Sequence, residues 1–289
     1  MRPTPERGRL AELPRFLEIQ TLGLNVPFAI AFVLVAAGGL PRPIPFALVV
    51  VAFVAARNAG HAFNRWADRD LDAVNPRTAS RALPAGRLSG GFAVGVTAAS
   101  SAVVLLAAGL LNPLALALAP VALALVLGYS YTKRLTALST PFLGLVEAVT
   151  PAAAFVALDG RLPLSVLWAV AAILCWGTAF ETIHSLGDLA SDRELALRSL
   201  PARLGARRSV ELVGALHAAA LVLLAAFGFA VGLRVPYYAG LGLIAVGAYL
   251  TDRRLAASLP NVRPSFERHF LFAAIYLGAV ACAVFVPWP

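Results

Sequence analysis

Asn64, Asp68 and Asp72 recur at every fourth residue within Phe63–Thr78 (FNRWADRDLDAVNPRT). Asp188 and Asp192 repeat the spacing within His184–Pro201 (HSLGDLASDRELALRSLP). Residues four apart share one face of a helix, so each cluster stacks its acids on one side. Carboxylates stacked in this way repel one another unless a cation lies between them. Both clusters end long apolar segments, where bare charge is costly. The reading that follows is a divalent-metal site at a membrane interface, and therefore an enzyme. The five oxygen-bearing side chains suit Mg2+, which keeps several waters and takes further ligands from substrate phosphates. Arg69, Arg77, Arg81, Lys133 and Arg198 fall on the same side of the membrane and can bind phosphate, arginine in bidentate fashion. Metal and cations together would stabilise a departing diphosphate in a water-poor cavity. The chemistry implied is ionisation of a lipid diphosphate at its first carbon. No protein nucleophile is needed, in keeping with the lack of any Ser/His/Asp or Cys/His constellation.

Other polar residues carry weaker signals. Glu147 and Glu181 lie within or near the ends of predicted spans, where an ionisable group marks a functional site unless it is only hydrogen-bonded between helices. His184 leads the second cluster where Asn64 leads the first, a place for acceptor binding or for a structural hydrogen bond. Tyr129 and Tyr131 can shield a carbocation through their ring faces or serve as interfacial anchors. Arg87, Arg207, Arg208 and Arg254 read as topology or headgroup contacts.

The elements that must position these groups are membrane helices. The chain is 60% hydrophobic and 13% charged, with a mean hydropathy of +0.79, far more apolar than a soluble domain. Nine stretches are long enough to span a bilayer, near 20–40, 44–64, 91–111, 113–130, 138–158, 163–183, 209–232, 235–251 and 266–287. The third and fourth, divided at Pro113, and the seventh and eighth, divided at Val235, read as tight hairpins. The charged, polar first twenty residues do not resemble a cleavable signal peptide. Of the 24 basic residues, 20 lie in the N-terminus and the even-to-odd connections, against Arg42, Arg161 and Arg234 opposite. Positive residues mark the cytoplasmic side, which puts the N-terminus and both acidic clusters inside and the C-terminus outside. The same dispersal of arginines among apolar helices argues against a nucleic-acid partner. Cys175 and Cys282 lack any metal-ligand spacing and read as small buried hydrophobes.

A shift of 120 residues aligns Asn64 with His184, Asp68 with Asp188 and Asp72 with Asp192. It also aligns Tyr129 with Tyr249, Lys133 with Arg253 and Leu135 with Leu255. The expected architecture is one all-α membrane domain over residues 1–289. It holds two pseudo-repeated four-helix halves, about 20–135 and 138–255, with a ninth helix at about 266–287. The halves would enclose a central cavity bearing both acidic clusters. Ion-coupled transport is the competing class for such a repeat, although the acids sit at cytoplasmic helix ends rather than near the midplane.

These residues resemble the UbiA superfamily of intramembrane prenyltransferases, over essentially the whole chain. Asn64-x3-Asp68-x3-Asp72 followed by NPRTxxRxLPxG (Asn75–Gly86) matches the family's first motif, and Asp188-x3-Asp192 its second. YSYTKRLT (Tyr129–Thr136) and Ser199-x-Pro201-x3-Gly205 match two further segments. The pattern is most similar to the 4-hydroxybenzoate polyprenyltransferase-like branch, with Arg65 after Asn64 and Ala190 between the aspartates as departures. The resemblance implies that Asn64, Asp68, Asp72, Asp188 and Asp192 hold Mg-diphosphate, with help from Lys133 and Arg69. It implies transfer of a polyprenyl group to an aromatic acceptor in quinone biosynthesis, or to a non-aromatic lipid. Hydrolysis or cyclisation of the lipid diphosphate is a third possibility. His184, Tyr129 and Glu147 are the expected acceptor contacts.

Overall fold

The computed structural model describes residues 6–75, 78–136, 138–259 and 261–286. The side chains of residues 6–10 and of Lys133 lie outside that description, as do Pro76 and Arg77 entirely. All regular structure among the described residues is helical: α1 (Glu6–Phe16), α2 (Leu22–Ala37), α3 (Pro43–Ala67), α4 (Arg69–Val74), α5 (Gly90–Leu111), α6 (Pro113–Leu135), α7 (Ser139–Asp159), α8 (Val166–Gly187), α9 (Leu189–Glu194), α10 (Leu200–Leu204), α11 (Ala206–Ala230), α12 (Val235–Ser258) and α13 (Arg263–Phe285). A single 3-10 turn, Ile19–Thr21, joins the first two.

Eight candidate membrane spans occur among the described residues, where nine are expected from the sequence. The difference is α12, a ninth long helix whose three tyrosines, three glycines and Thr-Asp-Arg-Arg run lower its hydropathy. The two hairpins form as expected: Asn112 alone separates α5 from α6, and four residues separate α11 from α12. Cys282 is exposed and Cys175 half-buried, so neither is the fully buried hydrophobe its span suggests. Cys282 lies on a face of α13 that the chain leaves uncovered, and Cys175 on a partly covered face of α8.

The chain divides into two compact units. The first comprises Met1–Leu22 and Leu48–Tyr131. Its core gathers Phe16, Leu17, Ala62, Ala82, Leu88 and Ala93, with Trp66 and Phe92 packed against them. Ala55, Ala59 and Ala62 are among the buried positions of α3, small residues that let membrane helices approach closely. Gly60 extends that stripe: a Cβ there would come within 2.7 Å of Val126 on α6. Ser89 begins α5, its hydroxyl accepting from the Phe92 amide at 3.1 Å, as an N-cap serine should.

The second unit comprises Gly23–Ala47 and Thr132–Pro289. Helix α8 is its centre, packing most extensively on α7 and α11, while α12 packs on α13. Its buried face runs through Ala169, Ala172, Trp176, Ala179 and Ile183. The α7–α8 crossing is close because Gly144 and Gly177 face each other, with the Glu147 carboxylate laid over Gly177. Three helices are tied by polar contacts in the same core. His217 Nδ1 of α11 lies 2.9 Å from Asp252 Oδ2 of α12, and His217 Nε2 lies 3.5 Å from His269 Nε2 of α13. Trp176 stacks on His217 with ring centroids 4.7 Å apart.

Candidate active site

The first acidic cluster is built by a one-residue break in a helix. Helix α3 ends at Ala67, Asp68 takes φ −91° and ψ 2°, and α4 begins at Arg69. A continuous helical face is therefore not what carries Asn64, Asp68 and Asp72. Four-residue spacing nevertheless survives, because the Asp68 amide donates to the Asn64 carbonyl at 2.9 Å and the Asp72 amide to the Asp68 carbonyl at 2.8 Å. Both acids are buried, Asp68 at 2% and Asp72 at 7% exposure. Asn64 Nδ2 donates to Asp68 Oδ2 at 3.1 Å, which fixes one oxygen of that carboxylate.

The NPRTxxRxLPxG motif wraps back onto Asp72. Thr78, buried, donates its hydroxyl to the Asp72 carbonyl at 3.1 Å. Arg81 Nη1 lies 2.9 Å from both oxygens of the Asp72 carboxylate. Gly86 closes the loop at φ 71°, a conformation glycine adopts without a Cβ clash. Arg69 turns back towards α3: it donates to the Trp66 carbonyl at 3.2 Å and lies 5.5 Å above the Trp66 ring. Arg77 lies outside the described residues.

The second cluster has the same local construction. Helix α8 ends at Gly187, Asp188 takes φ −101° and ψ 4°, and α9 spans Leu189–Glu194. The Asp192 amide donates to the Asp188 carbonyl at 2.8 Å. Helix α9 ends in paired bonds from Ala196 N to Arg193 O (3.2 Å) and from Leu197 N to Asp192 O (2.8 Å), with Ala196 at φ 52°. That is the Schellman arrangement, here with alanine in the position glycine favours. Ser199, Pro201 and Gly205 then begin and end α10: Ser199 Oγ accepts from Ala202 N at 3.3 Å, and Gly205 has φ 78°.

The remaining predicted residues are placed as follows. Arg198 Nη1 donates to the Leu135 carbonyl at 3.1 Å, closing the end of α6, and with Arg203, Leu135 and Thr136 it lines an open cavity of about 450 Å3. His184 is half-exposed, with Nδ1 3.5 Å from Glu181 Oε2. Tyr129 is half-buried on α6, and Tyr131 packs its ring edge-on against Phe63 at 5.9 Å. The Lys133 side chain lies outside the description. Among the described residues, no three His, Cys, Asp or Glu side chains gather as a metal cage. Hard, oxygen-only donors, few at each cluster, fit Mg2+ with water and phosphate completing its shell.

Sequence reading passed over a basic face on α3. Arg57, His61 and Arg65 recur at every fourth residue, the same signal that exposed the acids, yet Arg57 registers only as a charge inside a span. Glu18 meets all three. Arg57 Nη2 donates to the Glu18 carbonyl at 2.8 Å and Arg57 Nη1 to the Leu17 carbonyl at 2.7 Å, and Arg57 also bonds the Thr21 hydroxyl. The Glu18 carboxylate pairs with Arg65 and lies 3.9 Å from His61 Nδ1. Arg57 Nε and Arg65 Nη1 are buried donors with no partner.

Fold and site together define a multi-pass integral membrane protein with aspartates at the ends of two of its long helices. The chain belongs to the UbiA prenyltransferase family, whose model matches residues 25–275. It is 34% identical over 251 residues to the 4-hydroxybenzoate octaprenyltransferase of Shewanella sediminis, covering 86% of this chain and 85% of that one. The enzyme of the same description from Shewanella halifaxensis is 33% identical, with 82% and 80% covered. Among solved structures, the apo form of a UbiA homolog from Aeropyrum pernix K1 is similar at a TM-score of 0.82 and 35% identity, covering 91% of this chain and 97% of that one. A UbiA homolog from Archaeoglobus fulgidus, bound to GPP and Mg2+, shares the fold at a TM-score of 0.76 and 18% identity, covering 95% and 100%.

Proposed function

We propose that this chain catalyses Mg2+-dependent transfer of a polyprenyl group from a polyprenyl diphosphate to an aromatic acid of the 4-hydroxybenzoate kind, in quinone biosynthesis. The observation that carries the reading is Asp72, buried and held by Arg81, one turn from the buried Asp68. Membership of the family, and the hydroxybenzoate transferases among its relatives, supply the reaction class. Ion-coupled transport gives way to that membership.

In this reading Asn64, Asp68, Asp72, Asp188 and Asp192 hold Mg2+ and the diphosphate. When bound, Mg2+ neutralises negative charge developing on the departing diphosphate. Arg69, Arg77, Arg81, Lys133 and Arg198 add fixed positive charge to the same group. The allylic cation left behind is attacked by an electron-rich ring carbon of the acceptor, which then loses its ring proton to solvent and regains aromaticity. Arg57 and Arg65, each with an uncommitted buried nitrogen, complement the acceptor's carboxylate. His184, Tyr129 and Glu147 are further proposed acceptor contacts.

We assign the halves as a duplication on local grounds. Adding 120 to Arg69–Val74 gives Leu189–Glu194, the bounds of α9, and the same shift takes Asp68 to Asp188. The excess of basic residues supports an N-terminus and acidic loops on the cytoplasmic side.

The test is pyrophosphate release by purified protein with geranylgeranyl diphosphate, with and without Mg2+, against a panel of aromatic acids. Mg2+-dependent release that requires one acid and yields its prenylated product supports the reading. Release independent of any acid points to hydrolysis or cyclisation, and donor binding without release points to a non-aromatic acceptor.

A further inference from the structure

We infer that Glu18 is a positioning residue that sets the acceptor specificity of this enzyme; the inference rests on the aromatic-acid reading above. Glu18 sits at φ 49° and ψ 47°, a left-handed conformation that costs a residue with a side chain and is kept only where its surroundings demand it. What demands it here is the basic face of α3. In this geometry the Glu18 carbonyl meets Arg57 while its carboxylate reaches Arg65 and approaches His61. One residue thus engages three successive turns of a membrane helix through both its backbone and its side chain.

The consequence is a partial neutralisation. Arg57, Arg65 and Arg81 bring three fixed positive charges into this unit, and Asp72 occupies Arg81. Glu18 anchors the other two arginines yet leaves Arg57 Nε and Arg65 Nη1 buried without a partner. Unmatched buried donors are expensive, and two on one helix face, both in guanidinium groups bonded to Glu18, invite a planar anion. A carboxylate on an aromatic ring has that shape and charge. Among the described residues Glu18 is the hydrogen-bond partner of the Arg65 guanidinium, and without it the donor pair would lose its register.

Two variants separate this role from a merely structural one. Glu18→Gln keeps an oxygen for Arg65 and removes the charge. Glu18→Gly removes the side chain altogether from a backbone position that glycine adopts without strain. With 4-hydroxybenzoate and geranylgeranyl diphosphate, both variants should raise the KM for the acid about tenfold, equivalent to about 1.4 kcal/mol. The KM for the diphosphate should stay unchanged in both variants, whereas a merely structural role would move both KM values or neither. Binding of 4-hydroxybenzoate by equilibrium dialysis should weaken in parallel, while binding of its methyl ester, which lacks the carboxylate, should be insensitive. An unchanged KM for the acid overturns the inference, and a lowered KM overturns it by making Glu18 a competitor for the arginines. If wild type neither binds nor prenylates any aromatic acid, the acceptor reading itself falls and takes this inference with it.

Discussion

Arg81 holds Asp72 through one nitrogen, Nη1 standing 2.9 Å from each carboxylate oxygen. The usual pairing of arginine with a carboxylate uses two nitrogens in a fork. Here the remaining guanidinium nitrogens are left for other partners. A single-point contact can be reproduced by an ammonium group. Arg81→Ala should destabilise the protein by about 1.5–3 kcal/mol, the worth of a hydrogen bond to a charged group. Arg81→Lys should recover most of that loss. Thermal unfolding in detergent compares the two, and equal losses would show that the fork geometry matters after all.

Asp68, buried, and Asp192, half-buried, both stand at the proposed site. Asp68→Ala and Asp192→Ala should each lower turnover by about 10²–10³-fold, the scale of removing one electrostatic stabiliser. The helices should remain folded, because no core cluster depends on either carboxylate. Circular dichroism and pyrophosphate release together check this, and near-wild-type turnover in both variants would dismiss the site.

Ala196 ends α9 at φ 52°, where a Cβ is unfavourable. Ala196→Gly should raise stability by about 1 kcal/mol, seen as a higher melting temperature. Because this turn immediately follows Asp192, a change in the affinity for Mg2+ is also expected, readable from the metal dependence of turnover.

Asp252 is the sole carboxylate on the buried His217–His269 pair among the contacts observed there. Asp252→Ala leaves a buried imidazole nitrogen without its partner, at a cost of about 1–3 kcal/mol. Helices α11, α12 and α13 should loosen together, so hydrogen exchange should rise in all three. Protection lost in α12 alone would show that the pair does not couple them.

Much of the molecule is legible in the one-dimensional pattern. Hydropathy and the basic bias locate the long helices, since a bilayer admits few backbone solutions other than helices of fixed length. Pro113 announces the start of α6, while the short α10 between Ser199 and Gly205 is not among the expected helices. The acidic spacing is legible for the same reason, as residues four apart share a side of any helix. Composition is a blunter guide for α12, where Tyr237 and Gly240 pack inside rather than face lipid: Tyr237 is fully buried, its hydroxyl donating to the Leu224 carbonyl at 2.9 Å.

What the chain by itself determined is therefore whatever depends on neighbours within about one helical turn: the spans, the caps, and the recurrence of Asn64, Asp68 and Asp72. The tertiary structure alone decided the pairings across longer separations. Arg57 and Arg65 meet Glu18 from 39 and 47 residues away, and His217 meets Asp252 from 35. No local periodicity encodes such contacts. They follow from which helix faces are small enough to approach and from the need of each buried charge for a partner.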